Sequence, residues 1–163
     1  MECRGCPLIE HAIAAAQLWN PVVVASRDVA EYLAGRQDLE LVRNDQPDLG
    51  MAHSLRLASL VVPAGSALIV LLGDKPLVTP ALIKTVCSAS ANADVVYPVR
   101  GEEPGHPVWI SPRARRAIGA LPPGDTLRFL RADPELTTIA IETHDEGAFF
   151  DVDTVDAFER SEL

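Results

Sequence analysis

Residues 67–80 read "ALIVLLGDKPLVTP". Six consecutive apolar residues, Ala67 to Leu72, bounded by turn formers predict a strand buried on both faces of a sheet. Thr79 reads as the N-cap of a following helix and Pro80 as its first helical position, where a missing N–H costs nothing. Asp74 is thereby placed just past the carboxyl end of a central strand. In open α/β sheets that rim is where ligands bind. A Gly-Asp pair is also ordinary turn chemistry, so what else reaches the same rim decides its meaning.

Outward from this stretch, helical and strand periodicities alternate. "PLIEHAIAAAQLW" puts Leu8, Ile9, Ala12, Ile13 and Ala16 on one helical face behind Pro7. "PVVVAS" predicts a strand, "DVAEYLAG" a helix stopped by Gly35, and "LELVRN" a strand. "GMAHSLRLASLV" is helical, as is "PALIKTVCSASA" after the opening strand. "DVVYPV" and "PVWIS" predict strands around the loop "RGEEPGH", and "PRARRAIGAL" and "DTLRFLRAD" two short helices. "LTTIAIE" and "AFFDV" are expected as strands and "TVDAFERS" as a closing helix. Such alternation predicts a mostly parallel sheet with helices on both faces, in one α/β domain over residues 1–163.

The bulk properties narrow the function. The chain has 163 residues, 48% of them hydrophobic, enough for a real core and too apolar for disorder. Its net charge of −9 argues against nucleic acid as a partner and requires metal ions or local basic groups for any anionic substrate. No apolar run approaches the roughly 18 residues of a membrane helix, and no signal-peptide pattern opens the chain, so a cytoplasmic protein without a membrane partner is expected. Three cysteines do not make a disulfide framework. The "CRGC" at residues 3–6 has the spacing of a redox pair or half a zinc site. It lacks the preceding strand of the one and the second ligand pair of the other.

Two further segments carry candidate chemistry. In "FFDVDTVDAF", Asp151 and Asp153 project to one side if the chain there is extended. Asp153 or Thr154 can instead cap the last helix, which leaves Asp151 without a local duty. A carboxylate beside Asp74 would bind a hard divalent cation such as Mg2+. In "EPGHPVWIS", Gly105 permits close backbone approach and Pro107 holds His106 extended, although a single histidine beside a strand is often structural.

Together with "NDQPDLGMAHSLRLA" these segments resemble the MobA-like NTP transferase family, most closely its molybdenum cofactor cytidylyltransferase branch. That branch has the patterns Gly-Met-x-x-Ser-Leu, Gly-Asp-x-Pro-x-Val-Thr-Pro, Gly-His-Pro and Asp-Ile-Asp-Thr-Pro-x-Asp, in that order. Here they read Gly50-Met51-Ala52-His53-Ser54-Leu55, Gly73-Asp74-Lys75-Pro76 with Val78-Thr79-Pro80, Gly105-His106-Pro107, and Asp151-Val152-Asp153-Thr154-Val155-Asp156. "PPGDTLRFL" is similar to a further family segment, with Arg128 three residues after Asp125. The resemblance implies a Rossmann-like, nucleotide-diphospho-sugar-transferase-like three-layer fold. It implies transfer of a nucleotide from CTP or GTP to a phosphate-bearing acceptor such as molybdopterin. Carried over, Asp74 and Asp151 would serve catalysis and, with Asp153, hold magnesium. Gly50, Ser54 and Gly73 would bind the nucleotide, and His106 and Arg128 the acceptor.

Members of that family begin with a strand and a glycine-rich loop, whereas this chain matches from about Pro7 onward. Two readings follow: the recorded start is late, or the chain is a shortened relative with its first strand missing. In the second case a catalytically silent binding or assembly protein is the alternative to an enzyme. The missing strand would lie between "PVVVAS" and "ALIVLLGD". Those two strands are therefore expected to pair directly, or the slot to be filled by another segment or a second chain. An exposed edge there would favour a homo-oligomer.

Overall fold

The computed structural model describes residues 2–3, 5–121 and 127–152. A two-rung antiparallel ladder, β1 (Glu2–Cys3) with β2 (Cys6–Pro7), opens the chain and sets Cys3 opposite Cys6 in register. Cys6 and Cys87 are free thiols. Helix α1 (Leu8–Ala16) follows and buries Leu8, Ala12, Ile13 and Ala15. Then come β3 (Val22–Ala25), α2 (Arg27–Tyr32), β4 (Glu40–Arg43) and α3 (Gly50–Val61). Strand β5 (Leu68–Val70) leads to α4 (Pro80–Ser88), whose start is the expected one: the Thr79 hydroxyl accepts from Leu82 N at 3.2 Å. The second half comprises β6 (Val95–Arg100), β7 (Glu103–Pro104), β8 (Val108–Ile110), α5 (Pro112–Arg115), α6 (Arg128–Ala132) and β9 (Thr138–Glu142).

The strands form a larger sheet and a separate pair. In the larger sheet β8 lies between β5 and β6, and β9 lies parallel along the other edge of β6. Because β5 and β6 both run antiparallel to β8, they share one direction with β9, and β8 is reversed among them. The reason is the short Gly101–Pro107 connection, which allows a reversal but no crossover helix. The fold is α/β with a mostly parallel sheet. Its main core lies where Val95, Val108 and Ile110 meet Ala114, Ile118 and Leu130, all at most 1% exposed. Strands β3 and β4 pair in parallel, Val22 opposite Glu40 through Ala25 opposite Arg43, over a smaller core of Ile13, Val23, Ala30 and Leu33. Among the described residues no helix is long and apolar enough to cross a membrane.

Three expectations need correction. The opening strand is shorter than its apolar run: the ladder holds only Leu68–Val70, because β8 offers three partners. "AFFDV" is not a strand. Glu146–Ala148 make a 3-10 turn capped by Asp145, and the chain then runs irregularly past Asp74, tied by one bond from Val152 N to Asp74 O at 3.0 Å. Strands β3 and β5 do not pair. Among the described residues no strand lies between them, and a cavity of about 720 Å³ occupies the interval. Asp153, Thr154, the closing helix and Asp125 lie outside the described residues.

Candidate active site

The carboxyl end of β5 becomes a site because two distant segments are packed around the loop that follows it. The first contact is steric. At Gly147 an added Cβ would sit 2.3 Å from the Leu77 carbonyl oxygen, so the turn at 146–148 can seat on the Gly73–Val78 loop only without a side chain. The second is the 100–107 loop. Gly105 donates to Pro98 O at 2.8 Å and His106 N to Ala148 O at 2.9 Å, while a Cβ on Gly105 would meet Ala148 O at 2.7 Å. The His106–Pro107 bond is cis.

These contacts gather Asp74, Lys75, His106 and Asp151. Lys75 is 5% exposed, which a lysine tolerates only when its ammonium is paired. Its Nζ donates to Phe149 O at 3.1 Å and stands 3.5 Å from Asp151 Oδ2. Asp151 itself is about half exposed, while Asp74 Oδ1 is shut off from solvent. The cluster therefore has a buried end at Asp74 and Lys75 and an open end at Asp151.

His106 sits beside this cluster as a neutral base. Burial pushes its pKa down to about 4; the positive charges of Lys75 and Arg131 add to the shift, while the Val70 carbonyl and Asp151 oppose it. Its Nδ1 lies 3.4 Å from Val70 O, a separation the Nδ1–H tautomer spans as donor. Arg131 stacks over the Tyr97 ring at 5.0 Å. Its pKa is lowered chiefly by burial and further by the charge of Arg128. Arg131 of α6 thus stands close enough to His106 for its charge to act on the imidazole.

Gly50 and Ser54 occupy a different wall. Gly50 starts α3 with φ +75°, and Ser54 Oγ accepts from Asn44 Nδ2 at 3.1 Å. Asn44, 3% exposed, also donates its N–H to Ala25 O at 2.7 Å and accepts from Gln46 N at 2.8 Å, tying the ends of β3 and β4 to α3. Beside it a cleft of about 440 Å³ is lined by Ser26, Arg27, Asp28, Arg43, Asn44, Asp45 and Pro47. Ser54 and Gly73 line the same 720 Å³ cavity between β3 and β5. Among the described residues no group of three His, Cys, Asp or Glu side chains gathers as a closed metal cage.

Sequence reasoning passed over Lys75, Asn44 and Arg131. Lys75 stood inside the "GDKP" segment, but a lysine in a loop is ordinarily solvated. Its burial depends on Phe149 and Asp151, more than seventy residues away.

Asp74, Lys75, His106 and Asp151 thus lie together at the carboxyl rim of a mostly parallel sheet, the part of an open α/β sheet where ligands bind. The MobA-like NTP transferase domain matches residues 1–138, and the chain belongs to that family. Its class of chemistry is nucleotidyl transfer. Solved structures agree on the fold. The Rv0371c homologue from Mycobacterium sp. strain JC1 superposes with TM-score 0.77 at 23% identity, over 94% of this chain and 80% of that one. The manganese complex of Rv0371c from Mycobacterium tuberculosis H37Rv gives 0.78 at 18% identity, over 98% and 88%. Molybdopterin-guanine dinucleotide biosynthesis protein A from Archaeoglobus fulgidus gives 0.75 at 18% identity, over 98% and 86%. No curated protein matches the chain.

Proposed function

We propose that this protein binds CTP or GTP with magnesium at the Asp74–Asp151 rim and transfers the nucleotide to a phosphorylated acceptor such as molybdopterin, in a cytoplasmic setting. The observation that carries the reading is the Val152 N to Asp74 O bond, which brings the two acidic segments of the family pattern side by side. The donor set fits the metal. Carboxylate oxygens are hard ligands, and magnesium is commonly held by one or two carboxylates together with substrate phosphates. When bound, the ion would draw charge from the phosphates during in-line displacement.

The chain's own groups have separate tasks in this proposal. Lys75 holds Asp151 in place and partly offsets the carboxylate charge that would repel a triphosphate. His106, neutral at pH 7, gives the acceptor side a hydrogen-bonding group that adds no charge. Arg128 and Arg131 supply positive charge for the acceptor phosphate. Ser54, oriented by Asn44, and Gly50 and Gly73 shape the nucleoside side.

The test is calorimetric titration of CTP and of GTP, each with magnesium, into the protein and its Asp74→Asn variant. Metal-dependent binding weakened at least ~10-fold in the variant, about 1.4 kcal/mol, with a melting temperature little changed, is expected. Equal affinity in the two proteins would overturn the assignment. The open interval between β3 and β5 favours a second reading, a silent acceptor-binding protein. That reading wins if acceptor phosphate binds and neither nucleotide does.

A further inference from the structure

Lys75 carries the same sign of charge as the metal ion that its neighbours are suited to hold, and the rim has to accommodate both. Its side chain is only 6% exposed. Nζ meets the Phe149 carbonyl at 3.1 Å and Asp151 Oδ2 at 3.5 Å. The first partner is neutral, so Asp151 is the carboxylate that balances the ammonium. Among the described residues no other carboxylate pairs with it. An ammonium shut away from water depends on such a partner, because solvent no longer stabilises its charge. The segment bearing Asp151 is tied down on both sides. Before it, Gly147 packs against the Leu77 carbonyl, and after it Val152 N bonds Asp74 O at 3.0 Å. Lys75 and any ion bound by Asp151 therefore have to share one carboxylate.

Sharing has a direction. Carboxylate oxygens draw a hard divalent ion to this rim. Two carboxylates alone would balance its charge in full; with Lys75 among them they balance half. Two cations around one carboxylate repel each other, and water screens that repulsion least at the buried Lys75 end. Nothing in the pattern Gly-Asp-x-Pro demands a lysine, because residue 75 stands at its variable position. We propose that Lys75 is a tethered cation that competes with the divalent metal for Asp151. The protein alone then holds the metal weakly and takes it up together with a triphosphate, whose negative charge serves both cations. The inference rests on the metal assignment proposed above and deepens it, naming the residue that couples metal uptake to the nucleotide.

Two variants test it. Lys75→Met removes the charge with an unbranched side chain of similar length, and Lys75→Gln removes it while keeping an N–H for the Phe149 carbonyl. Asp151 is about half exposed, so water serves it once the ammonium is gone. Circular dichroism shows whether each variant folds as the native chain does, and either one decides. The probe is Mn2+, a hard ion whose unbound fraction is counted by electron paramagnetic resonance, titrated with no nucleotide present. Binding at least ~10-fold tighter in the variants than in the native protein, about 1.4 kcal/mol, is expected. Adding Asp151→Asn to either variant should abolish that gain. With magnesium–CTP, titrated by calorimetry, the native protein should bind at least as well as the variants. Equal Mn2+ affinity in native and variant proteins overturns the competition and leaves the metal assignment standing. Weaker Mn2+ binding in the variants overturns it as well, since Lys75 would then only hold Asp151 in position. Variants that keep their advantage with magnesium–CTP, or no binding of that complex at all, overturn the coupling to the triphosphate. No Mn2+ binding in any of these proteins sinks the metal assignment itself, and this inference with it.

Discussion

Acidification should destabilise this protein well above the range where carboxylates titrate, and His106 should be the cause. In the unfolded chain a histidine titrates near 6.5, and in the fold burial holds His106 at about 4. The folded state therefore resists a proton that the unfolded state accepts. The contribution to stability is fully present above pH 6.5 and is lost as pH falls through about 4. Linkage puts the loss at about 2 kcal/mol by pH 5 and about 3 kcal/mol by pH 4, upper values because part of the ring keeps contact with solvent. The buried carboxylate of Asp94 does not confuse this window. Burial alone would raise its pKa, but the Thr137 N–H, the Ser111 hydroxyl and Arg113 together hold it below the ordinary value. Its contribution is thus lost only at lower pH. The assay is urea unfolding at pH 7.5, 6, 5 and 4.5 for the protein and His106→Gln. The variant begins less stable, having lost packing, and should show a flatter profile between pH 6.5 and 4.5. Parallel profiles would refute the reasoning, since the proton uptake would then belong to another group.

Two further outcomes follow from contacts away from the carboxylates. Gly147→Ala places a methyl 2.3 Å from Leu77 O and should cost roughly 1–3 kcal/mol. By thermal melting that is a drop of about 2–12 °C for a domain of this size, and an unchanged midpoint would mean that the 146–148 turn does not seat on the Gly73–Val78 loop. Arg115 is buried and donates to four carbonyls in the last turn of α3 and just beyond it: Ser59 O at 2.8 Å, Val62 O, Pro63 O at 2.6 Å and Ser66 O at 3.0 Å. Arg115→Lys keeps the charge and loses the planar fork, so urea unfolding should show about 2–4 kcal/mol of destabilisation, and a loss below half a kcal/mol would argue that water replaces the guanidinium.

What the sequence determined was local. The 3.6-residue apolar period of "GMAHSLRLASLV" set α3 at Gly50–Val61, and Thr79-Pro80 set the start of α4. The end of a buried apolar run fixed Asp74 at a sheet rim, and the order of short motifs pointed to the family that matches. These signals are read from neighbours within a few residues, which is the range over which capping and periodicity act.

Tertiary structure decided the rest. Whether "AFFDV" becomes a strand depends on a free sheet edge at the right place. What it meets instead is the Gly73–Val78 loop, against which Gly147 packs and to which Val152 bonds. Lys75 counts as buried only once Phe149 and Asp151 arrive to pair it. The apolar pattern of "PVVVAS" and "ALIVLL" specified strands but not their partners, because a strand's backbone edge is the same whatever its side chains. Each edge therefore pairs with what the assembled helices bring beside it. Here those helices leave β3 and β5 apart, with the interval between them apolar and edged by backbone.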